Sequence, residues 1–481
     1  MKQTRLETPF IHSKFMNPYK YIVDIVVFFS VLFSFLYSIY NYDHVGYIFL
    51  GLLPLTYGFV YFVVYRRRIF QELKIFLTVF AGATFIRFVV MPVLIVYSGF
   101  YGGRSIVSPT DDSFKKACLL MIYELVVVAL FIEFLERRRN RVQTNRLTFN
   151  MEVAKPKNMV IYFIFFGVTL LFGMLFPQSF RLFSFITPNL SGSEYLASPP
   201  FLEAIVIYMM FTSKHLIFVI LLLFFHKHYE KSNKGIYKNL GFLIVILNIC
   251  LFYGLNRSDL VMPAIASLLL YALLFRDRNI SKYIIIAVIV YILISVIAES
   301  RELASISKDQ NQWIDRADFI QGYFGGVYNV AISIETVDYF PEARNILRAL
   351  YDTFRPFIGF NVLLKGVDME ATNAFFNRRI WFGTLYSQIT PMVGQGFIHF
   401  GFILAPILDL FVIYIAYILE IWLYKKRRVE IIYFFSICLI RMGFLMGQNT
   451  GNMSNEISMN LVMFSVIYFV NNRIHLTEKR E

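Results

Sequence analysis

Long apolar runs separated by short basic stretches constrain this chain more than any other feature. Twelve such runs, at roughly 21–40, 45–65, 74–98, 117–135, 159–176, 201–225, 239–255, 260–275, 283–298, 395–424, 430–448 and 457–471, approach the about 20 mostly apolar residues a membrane-crossing helix needs. Backbone N–H and C=O groups find no partner in lipid, so each run must close its hydrogen bonds internally as a helix. The expected fold is therefore all-α, a polytopic membrane helix bundle of about 12 transmembrane helices. Only 16% of residues are charged and 57% are hydrophobic, against about 25% charged in ordinary soluble domains. No small-residue cleavage site follows the first run, which reads as a retained span and not a signal peptide. The three cysteines (Cys118, Cys250, Cys438) all lie in apolar runs, so neither a disulfide framework nor a metal-ligand spacing exists.

Basic residues set the orientation. Arg66–Arg68, Arg137–Arg141, His226–Lys231, Arg276–Arg278 and Lys425–Arg428 fall on one side, which with both tails and Lys74 carries 29 Lys and Arg. Five (Arg104, Lys115, Lys116, Arg181, Arg257) stand on the short loops of the other side. The positive-inside rule then makes both termini cytoplasmic. The net charge of +14 is mostly this topology signal, and nucleic acid need not be invoked. The chain divides into a bundle of nine spans (1–298), a large extracytoplasmic loop (299–394), and three further spans with a cytoplasmic tail (395–481). The loop carries nine basic and eleven acidic side chains and is expected to pack as a cap over the bundle. Within it, 341–354 places Ile346, Leu347, Leu350 and Phe354 on one face of an amphipathic helix.

Ionisable groups inside spans are functional candidates by default. Arg87 and Glu124 lie roughly 16 and roughly 11 Å from the outer ends of neighbouring spans at 1.5 Å per residue, a spacing that predicts a buried pair. Arg441, about 10 Å below the outer surface, suits the floor of an extracytoplasmic cavity. Lys214, His215 and Asp409 sit within spans with partners the sequence does not name.

Arginine on the outer side is the remaining anomaly. Besides Arg181 and Arg257, the large loop holds Arg344, Arg348, Arg355, Arg378 and Arg379. A guanidinium fork binds phosphate oxygens bidentately, so such a cluster opposite a membrane suits a diphosphate. The competing explanation is pairing with the loop's own carboxylates. Arg257 stands in a tight turn and is expected at a cavity mouth, with Asn256, Ser258 and Asp259 capping the next helix. There is no Walker loop, no GxGxxG after a strand, no HExxH, no GxSxG and no DxD pair. The chain gives no sign of a cofactor, a metal, ATP or a nucleotide sugar, so any substrate arrives activated within the membrane.

Two patches carry a resemblance. GLNRSDLVMPAIASLLLY (254–271) is similar to the arginine-bearing turn and following span of bacterial oligosaccharide repeat-unit polymerases and O-antigen ligases. TPMVGQGFIHFGFILAPI (390–407), with Phe397, Phe400 and Gly401, resembles the segment that ends the large loop of Wzy-type polymerases. Some of these carry an Arg, ten residues, then Gly in the third and fifth outer loops; Arg181 with Gly192, Arg348 with Gly359 and Arg355 with Gly366 match that spacing. The resemblance implies a glycosyltransferase of the GT-C type in the bacterial inner membrane. It would join undecaprenyl-diphosphate-linked oligosaccharide repeat units into an O-antigen or capsular polysaccharide, beside membrane lipid and a chain-length regulator protein. In that reading Arg181, Arg348, Arg355, Arg378 and Arg441 bind substrate phosphate, Arg257 stabilises leaving-group charge, and His399 or Glu302 is the base or a sugar contact. An O-antigen ligase, a lipid-linked oligosaccharide flippase and a non-catalytic membrane protein remain as alternatives.

Overall fold

The computed structural model describes residues 12–70, 74–101, 103, 105, 107–142, 153–189, 200–254, 257–277, 279–300, 311–380 and 388–474. Apart from one short ladder, the regular structure among them is helical, as the apolar runs require. Nine described helices are long and apolar enough to cross a membrane. They include α1 (His12–Tyr40), α2 (Val45–Ile69), α3 (Ile75–Ser98) and α4 (Asp111–Val142). Shorter helix α5 (Met159–Leu175) precedes the long α6 (Phe201–Ser232), and α7 (Gly235–Cys250) is again short. Then come α8 (Arg257–Phe275) and α9 (Ile280–Ser300). The loop region contributes α10 (Gln312–Phe324), α11 (Val327–Tyr339), α12 (Ile346–Phe354) and α13 (Thr372–Ile380). Last are α14 (Met392–Leu404), α15 (Ile407–Lys426), α16 (Val429–Gly443) and α17 (Thr450–Arg473). Every residue of α16 is buried, which makes it the axis of the bundle.

The basic clusters meet at one end, held by acidic partners. Arg66 pairs with Asp24 at 2.8 Å, Arg68 with Glu133 at 3.0 Å, and Arg139 with Glu420 at 3.6 Å. A buried polar knot ties α6, α7, α8 and α16 together: the Tyr433 hydroxyl lies 2.9 Å from His215 Nδ1, accepts from Asn248 at 3.0 Å, and stands 3.3 Å from Ser267 Oγ. His215 thus works as interhelical adhesive. At the opposite end, strands β1 (Phe183–Phe185) and β2 (Leu251–Tyr253) pair antiparallel, Phe183 opposite Tyr253. The ladder brings the segments bearing Arg181 and Arg257 to one corner.

Two features depart from the sequence reading. The run 395–424 is not one span. Gly401 adopts φ 74, ψ −175 inside α14, and the chain doubles back so closely that a Cβ on Gly396 would stand 1.9 Å from the Ala405 carbonyl. Glycine at 401 permits that positive φ, and hydropathy alone does not register a reversal between two apolar halves. Nor is 312–339 a cap. Helix α10 packs along α3, with Trp313 edge-on to Tyr97, and α11 returns along α4, where Glu335 accepts from the Thr110 N–H. The pair is a re-entrant hairpin, and its tip at Gly325–Gly326 reaches Arg87. Arg87 Nε donates to the Gly325 carbonyl at 2.9 Å, while Arg87 Nη1 meets Glu124 at 2.8 Å, the pair the spacing predicts. Non-helical backbone at this depth is tolerated because protein, not lipid, surrounds it. Arg87 lies in a π-helical turn (Ile86–Val90) just before Pro92, which has no N–H to continue the ladder. Asp409, at the start of α15, is buried beside the pair.

Candidate functional site

The loop end holds a polar cavity of about 320 Å³ between α12, the start of α13, the segment entering α14, and the start of α17. Its wall includes Asp352, Arg355, Thr372, Asn373, Thr390, Gln395, Asn449, Asn452 and Asn455. Each arrives for a local reason. Asn345 caps α12 by accepting from the Leu347 N–H, which sets the helix phase and turns Asp352 inward while the apolar face turns outward. Asn373 and Asn377, one turn apart on α13, pin the chain that enters α14: Asn373 Oδ1 accepts from the Thr390 N–H at 3.1 Å, and Asn377 Oδ1 from the Gln388 N–H at 2.8 Å. Asn449 caps α17 on the Asn452 N–H at 2.8 Å. Spaced three residues apart, Asn449, Asn452 and Asn455 then line one face.

Asp352 is the hub. Its carboxylate accepts from the Thr372 N–H at 3.1 Å and from Gln395 Nε2 at 3.1 Å, and His399 Nε2 lies 3.7 Å away. Gln395 in turn accepts from the Thr450 N–H at 2.9 Å, fastening α14 to α17. His399 follows Gln395 by one helical turn. Its ring is buried, Nε2 is 3.0 Å from Thr372 Oγ1, and Nδ1 has no hydrogen-bond partner among the described residues. Behind the other wall, Gln448 Oε1 accepts from both Arg441, at 3.0 Å, and cavity-lining Asn452, at 3.1 Å.

Compared with protein-family models, curated proteins and solved structures, the chain finds no match. The site is therefore read from its geometry.

The arginines named from the sequence do not form one cluster. Arg355 lines the cavity, lies over the Tyr351 ring and pairs with no carboxylate among the described residues. Arg441 reaches the wall only through Gln448, two hydrogen bonds away from Asn452. Arg348 donates to the Glu342 carbonyl and covers Phe375, and Arg378 pairs with Glu370. Arg379 is buried against Glu335 and also donates to Ser105 Oγ at 3.2 Å. Arg181 is exposed on a helical turn (Gln178–Arg181), and its matching Gly192 lies outside the described residues, as does Glu302. Arg257 is not on the cavity wall. Its Nη1 donates to the Tyr323 hydroxyl at 3.0 Å, and the guanidinium lies over Phe319 and Tyr323, 5.1 and 5.4 Å from their centroids. It clamps re-entrant α10 instead of facing a cavity mouth, because Arg257, the first residue of α8, stands against that helix; Asn256, expected to cap α8, lies outside the described residues. His399 stands behind Asp352 and Thr372, so it positions the carboxylate instead of lining the space.

Sequence reasoning missed Asp352, Gln395 and the asparagine face. The signal was present: 448–460 reads QNTGNMSNEISMN, four asparagines within thirteen residues at helical spacing, a density that pure span counting discards as a turn.

Proposed function

We propose that the chain is a membrane glycosyltransferase that extends a glycan carried on undecaprenyl diphosphate by one oligosaccharide repeat unit at a time. The observation that carries this reading is the wall of the cavity: amide, hydroxyl, carboxylate and guanidinium groups around one concave space, facing neither bulk core nor a cofactor motif. A sugar ring presents hydroxyls that both donate and accept, and planar amides of Asn373, Asn449, Asn452, Asn455 and Gln395 satisfy both roles. The volume falls within the about 300–1,000 Å³ usual for small-molecule sites, enough for a sugar ring rather than a whole repeat unit. Arg355, unpaired by any described carboxylate, supplies a cation for the diphosphate.

In the reaction a hydroxyl oxygen of the incoming unit attacks the anomeric carbon of the growing glycan. The new C–O bond forms as the bond from that carbon to the diphosphate oxygen breaks, and undecaprenyl diphosphate leaves with the electron pair. Asp352 takes the hydroxyl proton, held in position by the Thr372 N–H and Gln395 Nε2 that donate to it, with the His399 ring packed 3.7 Å behind. Arg355 stabilises the charge that develops on the leaving group. A polymerase and a ligase share these steps and differ in the acceptor; the resemblance of 390–407 to polymerases favours the former. A setting in the bacterial inner membrane with both termini cytoplasmic, and a chain-length regulator as partner, belong to the same proposal.

The test is reconstitution with a lipid-linked repeat unit. Asn452→Ala and Asn455→Ala should raise KM by about 10-fold or more each, the worth of one or two hydrogen bonds at 1.4 kcal/mol per decade. Unchanged KM in both variants would remove the sugar from this cavity.

A further inference from the structure

Helix α12 buries Ala349, Tyr351 and the cavity-lining Asp352, and turns Ile346, Leu347, Leu350 and Phe354 outward, with Leu347 63% exposed. The chain after it keeps the pattern: Phe360, Val362 and Leu363 are also exposed, Leu363 by 76%. Seven large apolar side chains facing water would be an anomaly on a loop of ordinary surface.

Their position along α17 removes the anomaly. The chain descends beside that helix, from Asp352, whose carbonyl would lie 3.1 Å from a Cβ on Gly451, to Ile358, whose N–H donates to Ser458 Oγ at 2.7 Å. Asn472 marks the basic end, where its Oδ1 accepts from Arg428 at 2.6 Å and its carbonyl from Lys157 at 2.9 Å. Ser458 is fourteen residues back along the helix, about 21 Å at 1.5 Å per residue. A hydrocarbon layer is about 30 Å thick, so Ile358 lies about 9 Å inside its far face. Cationic groups rim the same segment: Arg344, Arg355 and Lys365 are exposed, and half-buried Arg348 sits on α12.

We infer that residues 346–363 form a wedge seated in the outer leaflet of the bilayer, with its apolar face among acyl chains and its basic rim among phosphate headgroups. An amphipathic helix with this distribution lies in the plane of an interface, and long basic side chains reach back to the headgroups from below. The cavity, walled by Asp352 and Arg355 of the same segment, then borders lipid along one side. The inference concerns where this segment sits and is independent of the chemistry proposed above.

Spin labels on single introduced cysteines decide it. The full chain carrying Leu363→Cys, and separately Val362→Cys as a second position, is reconstituted into phosphatidylethanolamine–phosphatidylglycerol vesicles without substrate. Collision rates with oxygen, which partitions into lipid, and with a water-soluble nickel chelate are compared. Phe29→Cys on α1, where Phe29 is 62% exposed, gives the lipid reference, and Glu342→Cys the aqueous one. Oxygen-dominated relaxation at 363 and 362, matching position 29, is the expected result. Nickel-dominated relaxation there overturns the inference, and so does low access to both reagents, which would mean that a second copy covers the face. Because no turnover is read, failure here leaves the glycosyltransferase reading standing, and success does not presuppose it.

Discussion

Replacing Arg87 by methionine tests the tip of the re-entrant hairpin. Arg87 is 1% exposed and Glu124 is fully buried, with 2.8 Å between them. Removing one member of such a pair leaves an uncompensated buried charge and costs about 3–5 kcal/mol. Loss of the 2.9 Å bond to the Gly325 carbonyl adds the desolvation of an unpaired acceptor, about 1–3 kcal/mol. The sum, about 4–8 kcal/mol, is comparable with the whole stability of a typical domain, so Arg87→Met alone should accumulate poorly. Arg87→Met with Glu124→Met removes the orphan carboxylate and should recover more than half of that loss, leaving mainly the Gly325 term. The assay is denaturant unfolding of the purified protein in mixed micelles, with fluorescence-detected gel filtration as the yield measure. A double variant no more stable than the single one, or a single variant within 1 kcal/mol of the parent, would refute the pairing argument.

Arg257→Ala should lower abundance and activity together, by about 1–3 kcal/mol of stability, because the residue holds Tyr323 and Phe319; loss of activity at full abundance would instead place it in the reaction. Gly396→Ala forces a methyl to 1.9 Å from the Ala405 carbonyl and should abolish folded protein in gel filtration, whereas Gly366→Ala, with none of the described residues within 4 Å of the added carbon, should be tolerated. Burial alone would raise the Asp277 carboxyl, but hydrogen bonds from Lys282, Tyr271, the Asn279 N–H and Lys238 outweigh it and hold the group well below the usual carboxylate range. Its folded pKa is depressed, so its contribution is present above the unfolded value near about 4 and is lost as pH falls toward the folded one. Asp277→Asn should therefore cost stability at pH 7 and flatten the loss between about pH 5 and 2, read from unfolding midpoints across that range.

The bundle was legible because hydropathy and basic clusters are strong, local signals. The run around Arg87 and the run around Glu124 even gave their pairing, since both depths follow from helical rise. The reversal at Gly401 was not legible: two apolar half-helices and one long span have the same hydropathy. The loop 299–394 reads as a cap because its length and many charged side chains, among them Asp315, Arg316, Asp318 and Glu335, look aqueous, although α10 and α11 pack against α3 and α4. Of the candidate cavity's wall, the sequence names Arg355 by residue type, His399 stands behind the wall, and Asp352 is passed over because its contacts with Thr372, Gln395 and His399 lie 20 to 47 residues away in sequence. Arginine count proved a poor guide, since Arg257, Arg378 and Arg379 find protein partners that only the tertiary fold supplies.

The most direct measurement is of the reaction itself. Purified protein in vesicles is given an undecaprenyl-diphosphate-linked repeat unit, and lipid-linked products are separated by size. The account predicts a ladder of glycans lengthened by whole repeat units, with Asp352→Asn slowing its formation by about 10²–10⁴-fold, the usual worth of a general base, at unchanged protein yield. Recovery of the repeat unit unchanged in length, or an Asp352→Asn variant as fast as the parent, would contradict it.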